Sequence, residues 1–197
     1  MSTASHDNPT QALISSLEKV YELKSIPRTG WLQNGISELE VESIAAHSYG
    51  MSILIMYLTP TLRKNGISVE RALNMALVHD IAEAIVGDLT PQDNVALDDK
   101  HAAEASAFRE IVSQVEQGDY FTEIWEEFEA AETPEAKLVK RIDKLDMLIQ
   151  AYLYEKKFLI RLDTFWENMD TFFKDSESET IYKYMQARRF EVKGIQE

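Results

Sequence analysis

The sequence predicts an all-α fold built as a single domain. Of its 197 residues, 45% are hydrophobic, 7 are Gly and 5 are Pro, which leaves little material for β-turns or flexible linkers. Apolar side chains recur at helical spacing through most of the chain, whereas no segment alternates apolar and polar residues as a half-buried strand does. A chain of this length is typical of one domain around one hydrophobic core.

Capping residues and apolar periodicity predict where the helices begin and end. Asn-Pro, Ser and Thr-Pro are typical helix starts, and Gly is a typical helix end. These signals predict helices at about residues 9–24, 44–65, 68–86, 98–117, 120–132 and 134–157, with two more between 162 and 190. They leave loops at 25–41 and 86–97, and the length of the second suggests a functional role. We expect one helical domain over residues 9–190, between a disordered tail at 1–8 and a frayed C-terminus at 191–197.

Charge and composition argue against several functional classes. The formal net charge is −14, and no basic stripe with interleaved aromatic residues interrupts it, so a nucleic-acid polymer is not an expected partner. The chain has no Cys, which excludes disulfides, thiolate metal sites and Cys nucleophiles. The first residues lack a signal-peptide pattern, and the longest apolar runs are shorter than the ~20 residues of a membrane span. We therefore expect no membrane association and a cytoplasmic location, with the nucleus as an alternative.

The most informative feature is a set of core-directed polar residues on three separate predicted helices, namely His47, the pair His79-Asp80, and Asp143. Taken singly, each has a structural interpretation, since a histidine on an apolar stripe is often a satisfied core residue. Burying two imidazoles and two carboxylates without partners costs several kcal/mol, whereas one divalent ion satisfies all four. Such an ion keeps coordination positions open for water and substrate, which indicates a catalytic metal site.

These residues resemble the His, His-Asp, Asp pattern of the HD-domain superfamily of metal-dependent phosphohydrolases. The segments at 23–31, 42–48, 79–88 and 138–144 are similar to its 5′-deoxynucleotidase branch, and the likeness covers about residues 15–160. The resemblance implies an HD-type helical bundle around a central metal site, with one divalent ion per chain (Mn, Co, Fe, Ni, Zn or Mg). It implies hydrolysis of nucleoside 5′-monophosphates to nucleoside and phosphate, a preference for 2′-deoxy substrates, and a homodimer.

Four further residues are candidates for the chemistry. Glu83 lies one turn beyond His79, where it would orient or deprotonate the attacking water, and Asp88 in the following loop would position water or the leaving group. Arg28 offers a guanidinium fork for phosphate, and Trp31 offers a flat wall for sugar or base. Bacterial members of the branch place Trp directly after Arg, whereas two residues intervene here. This departure from the family pattern affects the expected role of Trp31 more than that of Arg28.

Two further carboxylates lie near these candidates in the sequence. Asp146 follows Asp143 by one turn but does not match the ligand position of the family, so we expect it to support the ligands rather than to bind the ion. Glu104 on the next predicted helix either buttresses the site or is an ordinary solvated charge.

Two other functions remain open at the level of the sequence. A di-iron oxygenase or a two-metal phosphodiesterase of the same superfamily needs additional histidines, and only His6 and His101 are left. A non-catalytic helical scaffold with a structural ion would use the same ligands, but such a site needs none of Glu83, Asp88 and Arg28.

Overall fold

The structure is a computed structural model that describes residues 8–113, 115–174, 176–189 and 191. The predicted tail at 1–8 and the predicted frayed C-terminus at 191–197 lie, apart from residues 8 and 191, outside the described residues. The described chain divides into two compact units, residues 8–49 with 77–130 and residues 50–76 with 131–191. The single domain expected over residues 9–190 stays a prediction.

The predicted all-α fold class is confirmed. The described residues form ten α-helices and two short 3-10 helices, at Pro91–Asp93 and Asp163–Trp166, and no β-strand. In chain order the α-helices are α1 (Pro9–Glu22), α2 (Thr29–Gln33), α3 (Ile44–Lys64), α4 (Val69–Val78), α5 (Glu83–Val86), α6 (Leu97–Val112), α7 (Gly118–Ala130), α8 (Pro134–Phe158), α9 (Met169–Phe173) and α10 (Glu179–Arg189). None of these helices combines the length and the apolar composition needed to cross a membrane.

The first unit is built around α6, which packs against α1, α5 and α7. Phe108 of α6 and three residues of α7, Ile124, Trp125 and Phe128, are almost completely buried. On α7 these three occupy positions i, i+1 and i+4, so they form one apolar face that covers the core. This face also borders the candidate site described below.

The helix predicted over residues 68–86 is wrong in one respect, because the structure interrupts it at residues 79–82. Here α4 ends at Val78, and α5 begins only at Glu83. Within the break, Ile81 donates its backbone N–H to Val78 (3.1 Å) and Glu83 donates to Asp80 (3.0 Å), which are i to i+3 turns rather than α-helical bonds. The apolar pattern continues through the break and therefore does not reveal it.

Both predicted loops contain short helices that the sequence pattern did not indicate. Helix α2 occupies Thr29–Gln33 within the loop predicted at 25–41, and the 3-10 helix at Pro91–Asp93 lies in the loop predicted at 86–97. The 3-10 helix begins with a capping box, in which the Thr90 side chain accepts from Gln92 and the Asp93 side chain accepts from Thr90. Elements of three to five residues are too short to show a helical period.

The second unit contains α8, which packs against α10 and the 3-10 helix at Asp163–Trp166. The predicted cap of α8 is present, since the Thr133 hydroxyl accepts the N–H of Ala136 at 3.2 Å. Gly50 of α3 lies so close to α8 that a Cβ there would collide with a carboxylate oxygen of Asp146. A side chain at position 50 would therefore force Asp146 to move.

A buried ion pair joins α10 to α8 in this unit. Arg189 donates from Nε to Glu155 Oε2 at 3.0 Å, and its Nη2 contacts the other oxygen of the same carboxylate. Glu155 is completely buried and also accepts the backbone N–H of Leu162 at 3.0 Å. Because both charges are removed from water, each depends on the other for compensation.

We expect Glu155→Ala to lower the free energy of unfolding by about 3–5 kcal/mol, because the guanidinium of Arg189 would stay buried without its main partner. Urea unfolding followed by circular dichroism measures the loss. The exposed residue Glu167 offers a matched control, since Glu167→Ala should change the value by less than about 0.5 kcal/mol. A loss in Glu155→Ala no larger than that of the control would contradict this role.

Candidate metal centre

Three of the four predicted metal ligands lie together in the first unit. His47 is on the first turn of α3, and His79 and Asp80 begin the break between α4 and α5. Asp80 Oδ2 lies 3.0 Å from His79 Nε2 and 4.0 Å from His47 Nε2, and the two imidazole centroids are 5.5 Å apart. One ligand atom from each residue falls within 4.8 Å of the other two. The helix break thus brings adjacent residues of the chain to the same point as His47.

The local charges keep Asp80 ionised. Burial opposes the charged form, but the imidazole of His79, the guanidinium of Arg28 and the more distant His47 outweigh it and hold the pKa of Asp80 well below its usual range. Arg28 Nη1 donates to Asp80 Oδ2 at 3.2 Å. A carboxylate in this state can bind a cation without first losing a proton.

The donor set fits a divalent metal ion. Both histidines are buried. Their Nε2 atoms face the same carboxylate oxygen, Oδ2 of Asp80. Two imidazole nitrogens and a carboxylate suit Mn, Fe, Co, Ni or Zn better than Ca, which prefers oxygen ligands alone.

Asp143, the fourth predicted ligand, lies on α8 in the second unit. Its carboxylate is 3.3 Å from the Nζ of Lys144. Asp146, which we expected to support the ligands, lies one turn further along the same helix and is buried beside Gly50. The ligand role of Asp143 and the supporting role of Asp146 stay predictions.

Glu83 is buried at the first residue of α5. Its Oε2 atom has no hydrogen-bond partner among the residues that the structure describes. Burial raises the pKa of Glu83 to about 10, and the negative charges of Asp80 and Asp88 act in the same direction, while Arg28 and Lys100 oppose the rise. The raised pKa favours the protonated form of the Glu83 carboxyl at neutral pH.

Asp88 connects the loop after α5 to the start of α2. Its Oδ2 atom accepts the backbone N–H of Thr29 at 2.6 Å, and its Oδ1 atom lies 3.9 Å from Nη1 of Arg28. Nη1 of Arg28 therefore faces two carboxylates, those of Asp80 and Asp88. These contacts orient the guanidinium, and 18% of its side chain stays exposed.

Trp31 lies within α2 and is only 2% exposed. Its indole N–H donates to Glu42 Oε1 at 2.8 Å, so the ring anchors α2 to the segment that precedes α3. In this structure the ring packs inside the protein rather than along an open surface. Its role as a wall for sugar or base stays a prediction.

Reasoning from the sequence missed two contributions to this region. Lys100 of α6 donates to the carbonyl of Leu89 at 2.8 Å and pairs with Glu104 at 3.6 Å, which ties the loop that carries Asp88 to a helix. Glu104 is partly buried, and burial raises its pKa. Trp125 of α7 donates its indole N–H to the backbone carbonyl of His79 at 3.1 Å. The bonds to the carbonyls of Leu89 and His79 have no sequence signal, because both acceptors belong to the backbone.

The helices and the cluster of His47, His79 and Asp80 describe an all-α protein with a group of His and Asp residues that could hold a metal ion. The sequence pattern of the HD domain matches residues 20–184, and the chain belongs to the HD-domain family. This finding confirms the resemblance seen in the sequence. Membership of the family implies a divalent metal.

Known proteins with similar sequences or structures support the same family. The 5′-deoxynucleotidase hdd1 of Schizosaccharomyces pombe is 44% identical over 154 residues, which cover 75% of this chain and 74% of that protein. The 5′-deoxynucleotidase HDDC2 of Danio rerio is 40% identical over 146 residues, 73% of this chain and 70% of that protein. A solved structure from Pyrococcus horikoshii has a TM-score of 0.73 at 38% identity and covers 91% of this chain and 99% of that chain.

We expect Asp80→Asn to weaken the binding of Mn²⁺ or Co²⁺ at least tenfold, because the amide keeps the shape of the side chain but removes the charge that a cation needs. Elemental analysis after dialysis, together with the rise in Tm on adding the ion, measures the effect. Asp99 on α6 is exposed, so Asp99→Asn should bind like the wild type. Full ion occupancy in Asp80→Asn would refute the ligand assignment.

Proposed function

We propose that the chain is a metal-dependent 5′-deoxynucleotidase that hydrolyses nucleoside 5′-monophosphates to nucleoside and phosphate and prefers 2′-deoxy substrates. The observation that carries the proposal is the position of Arg28, whose guanidinium lies beside Asp80 in the His47, His79 and Asp80 cluster. A phosphate-binding group next to a metal site is what phosphate-ester hydrolysis requires. The names of the two similar 5′-deoxynucleotidases support the same substrate class.

We infer one divalent ion per chain, with His47, His79, Asp80 and Asp143 as its ligands. When bound, the ion supplies Lewis-acid stabilisation of phosphoryl charge and acidifies water. Mn, Co, Fe, Ni, Zn and Mg are the candidates. His101, the remaining histidine of the described chain, pairs with a Glu of α7 at 3.2 Å, which supports a centre with a single ion rather than an iron pair.

Arg28 is proposed to bind the phosphate of the substrate. Its guanidinium has five N–H donors in a rigid fork. Nη1 donates to Asp80 and also lies 3.9 Å from a carboxylate oxygen of Asp88. Because these carboxylates orient the fork in advance, little side-chain entropy is lost when two phosphate oxygens accept from it. The same fork neutralises part of the charge on the phosphate.

Glu83 is proposed to handle the proton of the attacking water. A cation held by His47, His79 and Asp80 would favour the ionised form of the Glu83 carboxyl, which would then accept the proton of the water. Its buried position keeps the carboxyl away from bulk water. Asp88, held by the N–H of Thr29, is proposed to orient water or the leaving group from the opposite loop.

The proposed partner is a small nucleoside monophosphate rather than a nucleic-acid polymer, which agrees with the formal net charge of −14. We also propose a homodimer and a cytoplasmic location, on the resemblance to the family. Sedimentation of the purified chain measures the first of these properties directly.

A phosphate-release assay tests the proposed function. We expect the protein with Mn²⁺ or Co²⁺ to release phosphate from deoxyribonucleoside 5′-monophosphates with a kcat/KM at least about tenfold above that for the ribonucleotides. Chelation of the ion should abolish the release. Deoxyribonucleoside 3′-monophosphates serve as the control substrates and should stay intact. Ion-loaded protein that releases no phosphate from any 5′-monophosphate would refute the proposal.

We expect Glu83→Gln to lower kcat by roughly 10²–10⁴-fold, because the amide keeps the volume of the side chain but accepts no proton. Ion content should stay at the wild-type level if Glu83 is not a ligand. Single-turnover hydrolysis and elemental analysis on one preparation measure both quantities. Glu116 of the first unit is exposed, so Glu116→Gln should keep the wild-type rate, and a wild-type rate in Glu83→Gln would rule out this role.

A further inference from the structure

The orientation of His79 and Asp80 depends on a segment that is not helical. In a continuous helix the N–H of Glu83 would donate to the carbonyl of His79. Here it donates to Asp80 instead, at 3.0 Å. The helical hydrogen bonds of α4 therefore do not determine the direction of the His79 carbonyl. They also leave the directions of the His79 and Asp80 side chains undetermined.

A side chain from another helix binds this carbonyl. Trp125 of α7 donates its indole N–H to the oxygen of His79 at 3.1 Å, and the bond is buried. A buried hydrogen bond between a rigid indole and a backbone carbonyl restricts the peptide plane between His79 and Asp80, which carries both side chains. Both residues are candidate metal ligands, so this plane controls the geometry of the cluster.

The indole itself is held in place by its neighbours. Trp125 is 3% exposed. The ring of Phe108 stacks on it with centroids 5.2 Å apart, and the ring of His101 does so at 5.6 Å. Both pairs are close to parallel, at 22° and 14° respectively. With two stacked neighbours the indole has little freedom to rotate, so its N–H keeps a constant direction.

The same face of α7 contacts the imidazole of His79 as well. Phe128, one turn after Trp125, meets this ring edge to face with centroids 5.1 Å apart. Helix α7 therefore holds His79 at two points, by the backbone carbonyl through Trp125 and by the ring through Phe128. Two contacts from one rigid helix define both the position and the rotation of a residue that lies in a turn.

We propose that Trp125 is a positioning residue that holds the His79-Asp80 turn in its metal-binding orientation through the carbonyl of His79. This inference rests on the proposed metal site, whereas it is independent of which phosphate ester is the substrate. Groups that hold metal ligands from outside the coordination sphere typically contribute roughly 10- to 100-fold to metal affinity or activity. The indole N–H therefore has an effect on ion binding that its contribution to packing does not explain.

The test is the affinity of the full chain for Co²⁺, measured by isothermal titration and by the visible absorption of the bound ion. Trp125→Phe keeps an aromatic ring in the core and removes the N–H. We expect its Kd for Co²⁺ to rise roughly 10- to 100-fold, with a changed absorption spectrum because the ligand geometry is altered. At saturating Co²⁺, the KM for a deoxyribonucleoside 5′-monophosphate should stay within about twofold of the wild type, while kcat falls.

Trp166 offers a matched control in the second unit. It is buried, and its indole N–H has no hydrogen-bond partner among the residues that the structure describes. Trp166→Phe thus makes the same chemical change without removing a bond to the turn. Its Tm can fall, but its Kd for Co²⁺ should stay within about twofold of the wild type.

A second variant covers the case in which Trp125→Phe does not fold. Incorporation of 3-benzothienylalanine at position 125 keeps the bicyclic ring and replaces only the N–H by sulfur. The same rise in the Kd for Co²⁺ is expected. A Kd within twofold of the wild type in this variant, or an equal loss of affinity in Trp166→Phe, overturns the proposal, and so does wild-type protein that binds no Co²⁺. Wild-type protein that binds Co²⁺ but hydrolyses no nucleotide, with weakened binding in the Trp125 variant, refutes the proposed function and supports the positioning role.

Discussion

The ionised carboxylate of Asp80 is the group on which the arrangement of the site depends. A negative charge in a largely buried position needs compensation, and the first unit supplies it from three segments, with His47 on α3, His79 in the helix break and Arg28 at the start of α2. The same negative charge is what would attract a divalent cation to this cluster.

Charges of both signs surround this carboxylate. The charges of Asp80 and Asp88 raise the pKa of Glu83, whereas those of Arg28 and Lys100 lower it. In a chain with a formal net charge of −14, an anionic substrate needs such local positive potential in order to bind. Helices α6 and α7 contribute indirectly. Lys100 of α6 binds the backbone carbonyl of Leu89 in the loop, and Trp125 of α7 binds that of His79 in the turn.

Much of this organisation could be predicted from the sequence. Periodicity placed His47 on an apolar face, and the adjacent His79 and Asp80 gave a specific pattern, so the convergence of these three residues was expected. The break at residues 79–82 was not predicted, because Ile81 and Ala82 continue the apolar helical pattern and neither Gly nor Pro marks the interruption. The contact of Trp125 was also invisible, since an indole on an apolar helix face has the same pattern whether or not its N–H binds a distant carbonyl. Side-chain patterns report which residues are buried, but they do not report the backbone groups that those residues bind.

The hydrogen bond between Asp88 and the N–H of Thr29 has a mechanical consequence. It links the loop after α5 to the first turn of α2, 59 residues away in the chain, so the two segments move as one body while the bond is intact. Arg28 immediately precedes this link, and Trp31 anchors the far side of the same short helix through Glu42. A displacement of the loop must therefore either carry the guanidinium of Arg28 with it or break this bond, so the positions of Asp88 and of the proposed phosphate contact are coupled.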